Sequence, residues 1–221
     1  MKKTLIKICD VRSLDSLAIC KCNNVDFIGI HIIDLPISDE QLELYYEIVQ
    51  RANPIKTVLL TKTVPVDILV SIIKQAHFDY IQIHRPCSIE EVVNLKNTVL
   101  VETGRKIGVI TVFEAHECDF SKVREMSNYA DYILFDSKYR GGTGLRILDS
   151  DLNKIVANCS DIPYFIAGGL KPENVGGLIS FVHPFGVDVQ TGVECAKHVK
   201  DPEKVKTFVH NVRAADAGLL G

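Results

Sequence analysis

Residues 164–194 read YFIAGGLKPENVGGLISFVHPFGVDVQTGVE, and this stretch decides the fold. Tyr164–Ala167 is a continuous apolar run, Val187–Gln190 is a short β-branched one, and each ends in a glycine-bearing turn. A strand that is apolar throughout is buried on both faces, as parallel strands flanked by helices are. The same unit recurs along the chain, at Leu5–Cys9, Asp26–Ile32, Lys56–Leu60, Tyr80–His84, Ile107–Phe113 and Tyr132–Phe135. Eight strand–helix units of roughly 25 to 30 residues predict a single (β/α)8 barrel over residues 1–213, of α/β class. The rival architecture is an open doubly wound sheet. It carries a glycine-rich turn after its first strand, and Ile8-Cys9-Asp10-Val11-Arg12 has no glycine.

Helix signals fill the intervals. Ser38-Asp39-Glu40-Gln41 and Ser88-Ile89-Glu90-Glu91 fit capping boxes, and Asp201-Pro202 supplies an N-cap with a first-turn proline. Residues 97–105 are ambiguous, because Thr98–Val101 fits either an extra strand or the end of the fourth helix. The tail Ala214–Gly221 is rich in small residues and is expected to fray.

The chain has 221 residues, 47% hydrophobic and 24% charged, with a formal net charge of -3. That balance is ordinary for a globular protein and lacks the basic excess of a nucleic-acid-binding domain. The apolar stretch after Met1-Lys2-Lys3 is broken by Lys7 and Asp10, too early for a signal peptide or a membrane span. Seven cysteines without an even framework of spacings read as reduced thiols, so a cytoplasmic protein is expected. Cys20-Lys21-Cys22 has no second Cys or His pair at ligand spacing and is read as part of a helix, with no metal site.

In a barrel, function sits in the loops after the strands. Gly141-Gly142-Thr143-Gly144, Gly168-Gly169 and Thr191-Gly192 follow the sixth, seventh and eighth strands. Glycine lets backbone N–H groups approach an anion closely, and three such turns at consecutive late strands predict a phosphate site. Its candidate residues are Gly142, Gly144, Gly168, Gly169, Thr191 and Gly192.

Longer motifs accompany these turns. Lys7-Ile8-Cys9, Gln82-Ile83-His84, Phe135-Asp136-Ser137, Ala167–Val175, Gly186–Val189, Gly192-Val193-Glu194 and Lys200–Lys204 together resemble phosphoribosylanthranilate isomerase. The resemblance spans nearly the whole chain and is most specific in its C-terminal half. It implies an Amadori rearrangement in tryptophan biosynthesis. A phosphoribosyl amine becomes an open-chain 1-amino-1-deoxyribulose phosphate without metal or redox cofactor. It also implies that Cys9 is the general base and Asp136 the general acid. The expected partner is a small phosphosugar, with neither nucleic acid nor membrane, and the chain is expected to be a monomer or homodimer.

The chain departs from the family pattern in ways that bear on the substrate. Asp10 stands where the family has glycine. It either faces the pocket, opposing thiolate formation, or points outward and caps the next turn, the preferred expectation. Residues 32–38 lack the arginine with which the family pairs the anthranilate carboxylate. Arg85 and Arg140 are the candidates to replace it. Thr57–Lys62 lacks the family's Gly-Val-Phe at the third strand. His84 is a candidate substrate contact. His31 is either a polar contact and proton carrier or a hydrogen-bonded core histidine. The sequence therefore leaves three readings: the isomerase itself, a relative acting on a different phosphoribosyl amine, and a barrel that binds a phosphosugar without turnover. A metal-dependent sugar-phosphate epimerase is disfavoured by the missing ligand pattern.

Overall fold

The computed structural model describes residues 3–33, 36–116, 118–137 and 146–219. Eight parallel strands close into a barrel: β1 (Leu5–Ile8), β2 (Phe27–His31), β3 (Lys56–Thr61), β4 (Tyr80–Ile83), β5 (Gly108–Glu114), β6 (Tyr132–Asp136), β7 (Tyr164–Ile166) and β8 (Gly186–Val189). Each pairs with the next, and the register Leu5↔Gly186 to Ile8↔Val189 joins β1 to β8. Every strand lies within a residue of the span expected from its apolar run.

Helices α1 (Leu14–Cys22), α2 (Asp39–Arg51), α3 (Val66–Gln75), α4 (Ile89–Thr103), α5 (Phe120–Met126), α6 (Asp149–Cys159), α7 (Pro172–Val182) and α8 (Pro202–Asp216) surround the strands. Ser88 and Glu91 form a complete reciprocal capping box at α4. At α2, Ser38 accepts a hydrogen bond from the Gln41 N–H. The ambiguous residues 97–105 belong to the end of α4. Val92, Leu95 and Val99 are buried at helical spacing, while Val101 is 80% exposed, which no two-sided barrel strand allows. Cys20 is buried on the inner face of α1 and Cys22 is exposed, so the pair diverges. Helix α8 runs past Arg213 to Asp216, whose carboxylate accepts from the Thr4 N–H (3.1 Å) and hydroxyl (2.6 Å). Ala214, Ala215 and Asp216, the first residues of the tail expected to fray, are thus helical. Among the described residues, no helix is long and apolar enough to cross a membrane.

Two layers make up the barrel interior. At the N-terminal ends of the strands, Phe27, Tyr80, Tyr132, Phe165 and Phe185 pack with ring centroids 5.3–6.5 Å apart. One strand repeat further along, the inward positions turn polar at Lys7, Gln82 and Asp188. The aromatic layer plugs the bottom of the barrel, leaving the polar groups at its C-terminal end.

Candidate active site

A cavity of about 250 Å3 opens at the C-terminal ends of the strands. Its walls include Cys9, His31, His84, Asp136, Asp188 and Gly168. Cys9 follows the last residue of β1 and is 4% exposed. Its Sγ lies 3.1 Å from the Lys7 Nζ and 3.1 Å from the His31 Nε2. Gly29 on the neighbouring strand makes room for this cluster, since a β-carbon there would sit 2.8 Å from the Cys9 Sγ. Lys7 is wholly buried and donates to both carboxylate oxygens of Asp188 at 3.0 Å.

Burial pushes the Cys9 thiol up to about 11, against the pull of the Lys7 ammonium. Burial likewise drives His31 down to about 3, so its imidazole is neutral at physiological pH. The site therefore holds a thiol beside a neutral imidazole. Iodoacetamide labelling at Cys9, followed by mass spectrometry, is expected to accelerate steadily from pH 8 to 11. Fast labelling at pH 7 would contradict the burial argument.

Asp10 corrects the sequence expectation. It neither points outward nor caps a turn, and the N-cap of α1 is Ser13. Its backbone takes φ 62, a left-handed conformation that glycine adopts freely and aspartate tolerates better than most residues. The carboxylate is fully buried and accepts from Arg12 Nε (2.6 Å) and Gln190 Nε2 (3.2 Å). It also pairs with His31 Nδ1 (3.4 Å) and with His198 Nδ1. Burial opposes its ionisation, but His31, Arg12 and His198 together hold its carboxyl below the usual carboxylate range. An ionised carboxylate only accepts, so the proton of neutral His31 sits on Nδ1 and the Nε2 lone pair faces the thiol.

Asp136 ends β6 and is 7% exposed. Its Oδ2 lies 3.9 Å from the His84 Nε2, and the Ser137 hydroxyl donates to Oδ1 at 3.4 Å. The other His84 nitrogen meets Gln82 Nε2 at 3.3 Å. The Gln82 Oε1 is buried without a hydrogen-bond partner among the described residues. β1 and β6 are three strands apart around the barrel, so Cys9 and Asp136 stand on opposite walls of one cavity.

The glycine turns after β7 and β8 lie beside this cavity. Gly168 and Gly169 take φ of 88 and 61, and a β-carbon on Gly168 would meet the Ser137 side chain at 2.7 Å. The Asn174 side chain pins the turn, donating to the Gly169 carbonyl and accepting from the Lys171 N–H, both at 2.9 Å. After β8, Thr191–Val193 forms a single 3-10 turn. A β-carbon on Gly192 would fall 1.9 Å from the Leu170 carbonyl oxygen, so the two turns are in direct contact. Gly142, Gly144 and Arg140 lie outside the described residues.

Arg85 corrects a second expectation. It does not line the cavity; its guanidinium binds Glu91 (2.6 Å) and the Lys62 carbonyl (2.8 Å). Two wall residues were missed. One is Arg12, two residues past Asp10. The other is His198, which is carried by a hairpin of β9 (Glu194–Ala196) and β10 (Val199–Lys200).

A closed parallel barrel whose polar cavity joins a thiol, imidazoles and a carboxylate to glycine turns has the architecture of a barrel enzyme. The family model described as N-(5'phosphoribosyl)anthranilate (PRA) isomerase matches residues 6–211. The N-(5'-phosphoribosyl)anthranilate isomerase of Haloferax volcanii is 30% identical over 219 residues, covering 96% of this chain and 94% of that protein. The enzyme of the same name from Aquifex aeolicus is 31% identical over 218 residues, covering 95% and 98%. Among solved structures, the N-(5'-phosphoribosyl)anthranilate isomerase of Pyrococcus furiosus superposes with a TM-score of 0.72 at 28% identity, covering 95% and 98%. The chain belongs to the N-(5'-phosphoribosyl)anthranilate isomerase family and is an isomerase of that type.

Proposed function

We propose that this enzyme catalyses the Amadori rearrangement of N-(5-phosphoribosyl)anthranilate in tryptophan biosynthesis, with Cys9 as general base and Asp136 as general acid. The observation that carries the reading is the placement of these two side chains, each at the end of its strand, on opposite walls of one cavity. Asp136 gives its proton to the furanose ring oxygen, and the C1′–O bond breaks as the amine nitrogen forms a Schiff base. Cys9 then removes the C2′ proton, the electron pair moves toward the iminium, and an enolamine results. Protonation at C1′, with loss of the C2′ hydroxyl proton, gives the ketone. Acid and base on opposite faces of the sugar allow both transfers without moving the substrate.

The neighbours of Cys9 answer the cost of making a thiolate. Lys7 stabilises the anion, and the Nε2 lone pair of His31 accepts a hydrogen bond from the thiol. His84 stands beside Asp136 on the opposite wall. The turns at Gly168-Gly169 and Thr191-Gly192 are assigned to the substrate phosphate, joined by Gly142 and Gly144 on sequence grounds. Gly192→Ala, which forces the two turns apart, is expected to raise KM about tenfold or more while changing kcat far less. Steady-state kinetics with the phosphorylated substrate measure the split.

The buried, protonated thiol favours a second reading, a phosphosugar-binding barrel without turnover. NMR of phosphoribosylanthranilate mixed with the protein in D2O separates the two. The isomerase reading expects an open-chain ketose phosphate carrying deuterium at C1′. Unchanged phosphoribosyl amine, with inorganic phosphate still bound to the protein, supports the binder.

A further inference from the structure

Residues 32–38 carry no arginine where the resemblance implies one for a carboxylate, and aspartate follows Cys9 where it implies glycine. In the structure these two departures meet at one residue. Asp10 turns its buried carboxylate inward and takes the Arg12 Nε at 2.6 Å, while Arg12 lines the cavity with its side chain 36% exposed. The carboxylate is itself fixed by Gln190, His31 and His198. Only the Nε of Arg12 is engaged among the described residues, and both terminal nitrogens of the guanidinium make no hydrogen bond or ion pair there. Of the two arginines expected in this role from the sequence, Arg85 is committed to Glu91 and Arg140 lies outside the described residues.

Position agrees with chemistry. The Val11 N–H donates to the Gly29 carbonyl at 2.9 Å, which ties the chain just before Arg12 to β2. Arg12 therefore stands on the side of the cavity where β1 and β2 adjoin. A guanidinium held at Nε presents its remaining N–H groups as a planar fork, the geometry that matches a carboxylate in two parallel hydrogen bonds. Lys62, also on the cavity wall, adds a second positive charge.

We infer that Arg12, anchored by Asp10, is the specificity-determining residue that recognises a carboxylate on the aryl amine of the substrate. The inference rests on the isomerase reading. Asp10 is a positioning residue: it aims Arg12 and does not touch the ligand.

The test uses two non-reacting probes, reduced 1-(o-carboxyphenylamino)-1-deoxyribulose 5-phosphate and its carboxyl-free phenylamino analogue, each titrated calorimetrically into the intact protein. Wild type is expected to bind the carboxylated probe about 10- to 100-fold more tightly. Arg12→Ala removes most of that preference and leaves the affinity for the carboxyl-free probe nearly unchanged. Arg12→Lys restores part of it, and Asp10→Gly, which suits the backbone but removes the anchor, weakens it again. A preference undiminished in Arg12→Ala overturns the inference, as does an equal loss for both probes. Wild type that binds both probes equally overturns the inference alone, whereas wild type that binds neither overturns the isomerase reading as well.

Discussion

Cys9→Ala and Asp136→Asn are each expected to lower kcat by about 10²–10⁴-fold, the usual worth of one general acid or base. Affinity for the reduced product analogue stays within a few-fold of wild type in both variants. Cys9→Ala removes one sulfur from a site where Lys7 stays paired with Asp188 and His31 stays paired with Asp10. Asp136→Asn keeps the shape and the Ser137 contact but cannot deliver a carboxylic proton. Neither change touches the glycine turns assigned to the phosphate. Single-turnover kinetics and calorimetry on the same preparations separate chemistry from binding. Turnover retained in either variant would remove that residue from its assigned role.

Lys7→Met is expected to produce the largest loss of stability, about 3–5 kcal/mol, because it strands the Asp188 carboxylate in the barrel without a counterion. The melting temperature of a domain this size should fall by roughly 10 °C. The wild-type pair is a weak stabiliser, since desolvation of both charges offsets most of their attraction. Removing both charges is therefore predicted to cost less than removing one, so Lys7→Met/Asp188→Leu melts above Lys7→Met. Thermal unfolding of the three proteins checks this ordering, and a double variant no better than the single one would contradict it. The single variant has a catalytic consequence too. Without the ammonium 3.1 Å from its sulfur, the Cys9 thiol loses the charge that opposes burial and becomes harder to ionise.

The barrel was legible because its physics is repetitive. Strands buried on both faces leave continuous apolar runs, and the capping residues Ser38, Ser88 and Asp201 mark helix starts by direct hydrogen bonds. The positions of Cys9, Asp136 and His84, at or just past strand ends around one cavity, were legible through the motifs that hold them. Asp10 was not, because nothing in an aspartate announces a left-handed backbone or a buried carboxylate with four polar neighbours. That neighbourhood is assembled by residues distant in sequence, His31 from β2, Gln190 from the end of β8, and His198 from the hairpin. The hairpin itself, with strands of three and two residues, is too short for alternation to register. Arg12 was not legible because its place on the cavity wall depends on its bond to Asp10. Arg85 was overvalued for the converse reason: Glu91 stands six residues on, as much a partner for the arginine as a helix cap.

The most direct measurement is the loss of fluorescence of freshly prepared phosphoribosylanthranilate on addition of wild-type protein, with Cys9→Ala in parallel. Rapid loss is expected with wild type, and a rate at least about 100-fold lower with the variant. No loss with wild type, or equal loss with both proteins, would contradict it.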